Sequence, residues 1–326
     1  MRTSFGPSST ATAIRSSRHR PRISARIGFL MRWMALCVLF AVALLGCERS
    51  TEADSGSKRG PAEVKPASGS SKEPIRSLPQ VDTSALDGFS EGIWIDMVNE
   101  LLSPCGEPVS VARCIAESRK CKRCVPAARY VARLVDDGYS RDEIRDVYRV
   151  RYSDDTKIDN LTSHDSPLRG SPMGPVTLYE FSDFQCPHCK IAAPMLKKIV
   201  EESNGKVKLI FKQYPLPMHP KAREASKATI AAHKQGKFWE MHDLLFEKQD
   251  ELQAANLDDY ARQIGLDMKR FKADMKSKAT DEKIAADRAE GEGAGVDSTP
   301  SIYVNDRRFV FPPDQLGAYL REELDQ

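Results

Sequence analysis

An apolar run, Val176-Thr-Leu-Tyr-Glu-Phe181, leads into Cys186-Pro187-His188-Cys189 and then into a helix-forming segment. Two cysteines three positions apart at a strand-to-helix junction constrain this chain more than any other feature, because they ask for a sheet edge that delivers one sulfur to a helix start. At that place unpaired backbone N–H groups and the helix dipole stabilise a thiolate on the first cysteine. The thiolate is the reactive form. A zinc site would need a second CxxC or a His pair at ordinary ligand spacing downstream, and neither follows, while Pro187 suits a helix first turn. Haem attachment asks for His after the second cysteine, where Lys190 stands. An inert disulfide at such a junction would leave its first sulfur open to attack.

Compartment follows from the head of the chain. Of the net charge of +3, residues 1–32 supply seven arginines and no acid, so the remainder carries about −4 and gives no reason to expect nucleic-acid binding. The fourteen uncharged residues Trp33 to Gly46 read as a signal-peptide apolar region, short for a bilayer span. They end in Leu44-Leu45-Gly46-Cys47, which resembles the lipobox of bacterial lipoproteins, with Cys47 as the lipidated residue and Cys37 inside the removed segment. Met31 before this unit reads as a candidate start. Glu48, where an inner-membrane retention signal has Asp, favours the outer membrane. In either membrane the folded part lies where disulfides persist.

Composition then divides the chain. Residues 1–46 form the signal, and 47–90, rich in Ser, Lys, Glu, Pro and Gly, read as a disordered tether of ~35–40 Å reach. Residues 91–155 read as a small all-α domain in which Ile93, Trp94, Met97, Val98, Leu101 and Leu102 recur at helical spacing, Ala128 to Val135 do so again, and Ser140 to Glu143 form a capping box for a third helix. Its four cysteines, Cys105, Cys114, Cys121 and Cys124, allow two structural disulfides in three pairings, or an accessory redox pair at Cys121 and Cys124 beside cations, or a metal site. After a linker at 156–171, residues 172–326 read as strand, helix, strand (Val207–Tyr214), a helical insertion over about 221–292, a strand pair at Ile302–Val304 and Phe309–Phe311 about a turn at Asn305-Asp306, and a last helix to Leu324. The fold class is α/β, a thioredoxin fold with an inserted helical subdomain behind a cysteine-rich all-α domain.

Phe181-Ser-Asp-Phe-Gln-Cys186-Pro-His-Cys189 together with Ser298-Thr299-Pro300-Ser301 resembles the DsbA-like branch of the thioredoxin superfamily, over residues 172–326. The resemblance implies a cis Thr299-Pro300 bond facing the cysteines, a substrate peptide pairing with the Thr299 backbone, and Glu180 beneath the cysteines as a proton relay for the resolving thiol. More weakly, Cys121 to Asp154 resembles the CcmH family of cytochrome c maturation, through Leu134, Gly138, Ser140, Glu143, Ile144, Arg151 and Tyr152.

Spacing and charge set the expected chemistry. Cys186 attacks or is attacked and should meet solvent, Cys189 resolves the mixed disulfide, and His188 favours the thiolate. A stabilised thiolate makes the disulfide an oxidant. The expected function is therefore disulfide donation to cysteine-containing secreted polypeptides, with a membrane redox partner renewing the pair and neither cofactor nor metal required. A reductase or isomerase serving cytochrome c maturation, and a non-catalytic lipoprotein module that binds peptides near Pro300, are the rivals. His219, His233 and His242 receive no role, and Phe238, Trp239, Leu244, Leu245 and Phe246 are expected to form insertion core.

Overall fold

The computed structural model describes residues 73–324. Met31, the apolar segment before Gly46, and Cys47 lie outside the described residues. Residues 73–90, which composition assigns to the tether, are anchored at three points: Leu78 and Val81 are buried in the core, and the Asn99 side chain brackets Ile75 by accepting from its N–H (3.0 Å) and donating to its carbonyl (2.9 Å). Averaging over forty polar residues hides the two apolar anchors that fix this stretch.

Helix α1, Gly88–Glu100, starts where Asp87 accepts from Ser90 N–H at 2.7 Å. It buries Trp94, Met97 and Val98, and the Trp94 indole donates to the Ala128 carbonyl at 3.1 Å. A six-residue helix α2, Val111–Ala116, follows under a Ser110 cap; the sequence reading misses it because six residues are too few to show a period. Helix α3, Cys124–Asp136, buries nearly every third and fourth residue, and α4, Arg141–Tyr152, opens on the expected box of Ser140 and Glu143.

The sheet follows. Strand β1, Leu168–Gly170, is an antiparallel edge strand inside the segment expected as linker. Strand β2, Val176–Ser182, lies at the centre, parallel to β3, Val207–Gln213, from Val176 opposite Val207 to Ser182 opposite Gln213. Helix α5, Pro187–Glu202, makes the crossover. Strand β4, Ser301–Val304, runs antiparallel to β2 with Glu180 opposite Ile302. The last strand, β5, is Arg307–Arg308, earlier than the expected Phe309–Phe311. Phe309 N–H still donates to the Ile302 carbonyl of β4 at 2.8 Å, and the rings of Phe309 and Phe311 pack edge-on and tilted against Tyr319, centroids 5.4 and 6.2 Å away. The order is β1-β3-β2-β4-β5.

Between β3 and β4 the expected helical stretch resolves into α6 Ala222–His233, α7 Phe238–Glu247, α8 Ala254–Gln263, α9 Met268–Met275 and α10 Lys278–Gly293. Phe238, Leu244, Leu245 and Phe246 form the insertion core with Phe271 and Phe211, and Trp239 packs partly buried against it. Helix α11, Leu316–Leu324, closes the chain. One hydrophobic cluster runs from Trp94 and Val131 of the helical unit into Leu178, Leu209, Phe309, Phe311 and Tyr319. Among the described residues no helix is long and apolar enough to cross a membrane.

Candidate active site

Strand β2 aims its carboxyl end at α5, and Cys186 is the N-cap of that helix with extended backbone (φ −73°, ψ 121°) and Pro187 in the first turn. Its sulfur therefore faces the first free N–H groups of α5. Both cysteines are thiols here. The order of exposure is as expected and its extent is not: Cys186 keeps only 5% of its surface and Cys189 none. The Thr299-Pro300 loop covers Cys186, whose thiol donates to the Thr299 carbonyl at 3.2 Å. The peptide bond of Thr299 to Pro300 is cis, and Thr299 is buried. His188 is exposed beside the pair.

The two thiols are driven in opposite directions. A hydrogen bond from Cys189, helped by Thr299 and by the backbone N–H groups of Cys189 and His188, pulls Cys186 down to about 5. Burial pushes the Cys189 thiol well up, reinforced by that same shared proton and by the neighbouring Glu180 carboxyl. Glu180 has no exposed surface, and neither carboxyl oxygen has a hydrogen-bond partner. Burial raises it to about 7. Neither the sheet edge nor a lysine claims it: β2 is central, and the buried Lys212 pairs with Glu290 (3.0 Å) and Asp287 (3.5 Å) instead.

Three residues that sequence reading passes over hold the cysteine loop. Asp183 is fully buried and accepts from Gln185 N–H (2.6 Å) and Leu216 N–H (2.7 Å), with His219 Nδ1 at 2.8 Å; its own N–H donates to Cys189 Sγ at 3.5 Å. His219, given no role by the sequence, is thus tied into the site. Gln249, in the turn just after α7, donates to the carbonyls of Phe184 (3.0 Å) and Cys186 (2.9 Å). His242, also given no role by the sequence, is buried among Phe184, Phe211, Phe238 and Phe246 and is paired with Asp243 at 2.7 Å. Asp183 stands among Ser182 and Gln185 on the approach to the cysteines, so polarity alone does not single it out.

The four other cysteines are joined as Cys105–Cys121 and Cys114–Cys124. Sγ atoms of Cys114, Cys121 and Cys124 lie within 4.8 Å of one another, the spacing of a metal site, but a sulfur in a disulfide is not a thiolate ligand.

A parallel β-α-β unit continued by an antiparallel strand, with a helix-opening cysteine pair against a cis proline, is one arrangement. Residues 162–322 match the Thioredoxin family model. The thioredoxin-type domain is similar to the Na(+)/H(+) antiporter NhaA 3 of Salinispora tropica, 39% identical over 146 residues, which are 44% of this chain and 22% of that protein. It is similar also to the Na(+)/H(+) antiporter NhaA 1 of Mycolicibacterium gilvum, 31% identical over 150 residues, 45% of this chain and 24% of that one. The chain thus spans less than a quarter of the length of these curated relatives. Among solved structures, a thioredoxin-like oxidoreductase from Silicibacter pomeroyi is 26% identical at a TM-score of 0.44, covering 50% of this chain and 94% of that one. The thiol-disulfide exchange protein α-DsbA2 from Wolbachia pipientis is 23% identical at 0.47, covering 57% and 99%.

Proposed function

We propose that this chain is an extracytoplasmic thiol:disulfide oxidoreductase that donates disulfides to cysteine-containing polypeptides through Cys186 and Cys189. One observation carries the reading: a thiol held down to about 5 at a helix start beside a buried thiol driven the other way. In the oxidised enzyme a substrate thiolate attacks Cys186 Sγ, the Cys186–Cys189 bond breaks, and its electron pair leaves on Cys189. Glu180, dry and poised near 7, hands Cys189 the proton this requires. A second substrate thiolate then attacks the substrate sulfur of the mixed disulfide. The substrate leaves oxidised by two electrons, and Cys186 departs as a stabilised thiolate. The Thr299 carbonyl, 3.2 Å from Cys186 Sγ, marks where an extended substrate backbone would lie. Exposed His188 favours the departing thiolate from the solvent side.

Cys47 would tether the domain to a membrane through a lipid, outer membrane favoured, where a membrane redox partner renews the pair. Carbonate-washed membranes should lose Cys47→Ser and keep the parent protein.

Equilibration with glutathione buffers tests the direction of transfer. A Cys186–Cys189 potential well above the thioredoxin value of about −270 mV supports donation, and one at or below it assigns the protein to reduction. Cys186→Ala should abolish oxidation of a reduced two-cysteine peptide. Retained activity would make the site a peptide-binding groove only.

A further inference from the structure

The two disulfides of the helical unit are close neighbours, with Cys121 Sγ within 4.8 Å of the sulfurs of both Cys114 and Cys124. Cys105 is exposed, its partner Cys121 keeps 9% of its surface, and Cys114 and Cys124 keep 1% each. An outer bond open to water at Cys105 thus lies beside an inner bond sealed in the core. Two independent staples need no such proximity. We propose that the four cysteines form a second thiol–disulfide exchange site, at which a dithiol reduces the outer bond and the freed Cys121 carries the exchange to the inner one.

The steps balance with a dithiol as the reductant. Its thiolate attacks the exposed Cys105 Sγ, the Cys105–Cys121 bond breaks, and the electron pair leaves on Cys121. The dithiol's second sulfur closes on its first, releasing Cys105 as a thiol and an oxidised dithiol. Cys121 is a good leaving group because Lys120 precedes it, Lys122-Arg123 follow it, and α3 begins three residues later with no side-chain cap on its N–H groups, while Arg119 is occupied by Glu107 and Glu117. The Cys121 thiolate then attacks Cys124 Sγ, forming Cys121–Cys124 and breaking Cys114–Cys124, whose electron pair leaves on Cys114 and takes up a proton. Attack falls on Cys124 because the two positions are already closed into a turn, with Cys124 N–H donating to the Cys121 carbonyl at 3.4 Å, the same three-residue separation as in Cys186 and Cys189. Overall the dithiol loses two electrons and two protons, and the protein ends with thiols at Cys105 and Cys114 and one disulfide.

This site is independent of the thiol pair at Cys186, so it is tested in a full chain with Cys186 and Cys189 both changed to alanine. One equivalent of dithiothreitol, acid quenching, alkylation and peptide mapping should yield a two-thiol species labelled at Cys105 and Cys114 with Cys121 linked to Cys124. Labels at Cys105 and Cys121 with Cys114–Cys124 intact would show two separate staples and overturn the proposal, as would labels at Cys105 and Cys124, direct passage to four thiols, or resistance to reduction. Cys105→Ser in the same background supplies the second arm, because it frees Cys121 with no reductant present. The folded variant should carry its free thiol on Cys114. A free thiol that stays on Cys121 defeats the relay.

Discussion

At the scale of single residues, Cys186 and Glu180 make opposite demands on pH. An acid held down to about 5 in the reduced folded state, against about 8.5 for a free thiol, adds stability to the reduced protein that is complete above the unfolded value and is lost as pH falls through 5. Alkylation of Cys186 by iodoacetamide should accordingly be flat from pH 7 to 9 and halve near 5. A rate still climbing about tenfold per unit between pH 6 and 8 would mean an ordinary thiol. Glu180 has the reverse sign, since its folded value of about 7 exceeds the unfolded one near 4.3. Burying it costs about 3 kcal/mol, a cost that grows as pH rises from 4 to 7 and is constant above. We expect Glu180→Gln to raise the melting temperature at pH 8 relative to pH 4 while slowing mixed-disulfide resolution. Equal shifts at both pH values would show that the carboxyl is not held dry. Asp183→Ala strips Gln185 and Leu216 N–H of their acceptor, at about 1–3 kcal/mol each where water cannot enter, and should also change the alkylation rate of Cys186. Unchanged stability and rate would show the aspartate to be incidental. The cysteines and Thr299-Pro300 were legible in the sequence because each is a short contiguous pattern. Asp183, His219 and Gln249 were not, because their meaning lies in partners some 30 to 65 residues away.

At the scale of elements, period and punctuation located β2, α5, β3, α3 and α4 well, since each has a strong apolar face or a cap that can be read locally. They failed on the pieces fixed by tertiary contact: the three residues of β1, the two of β5, and α2. β1 exists because β3 offers it an edge, and Arg169 leaves that edge to stack over Trp239 at 4.2 Å and pair with Asp243 at 3.1 Å. The packing of α10 on the sheet shows how close such contacts are. A Cβ at Gly291 would fall 2.7 Å from Tyr214 and 3.0 Å from Phe181, on rings that are themselves edge-to-face at a centroid separation of 6.0 Å. Gly291→Ala should therefore destabilise by about 1–3 kcal/mol in urea melts, despite the helix preference for alanine. A variant as stable as the parent would show that α10 can lift away freely.

At the scale of the whole molecule, one arginine fastens the helical unit to the thioredoxin-type domain. Arg151 of α4, 1% exposed, stacks on the Tyr319 ring at 3.7 Å and on Tyr130 at 4.5 Å, and binds Glu322 at 2.6 Å and Glu323 at 3.1 Å on α11. Arg133 joins Glu322 from α3 at 2.7 Å. Losing Arg151 breaks a buried ion pair and empties the space between the Tyr130 and Tyr319 rings, so Arg151→Ala should cost about 3–5 kcal/mol and lower a single unfolding transition. Two separated transitions in the parent protein would contradict the shared core.

That shared core limits how the chain can be divided. The family match begins at residue 162, yet a fragment starting there would present Phe311 and Tyr319 to water where Tyr130 and Tyr139 now cover them. The residues of α11 that meet Tyr130, Arg133 and Arg151, more than the cysteines, therefore mark the joint between the two units.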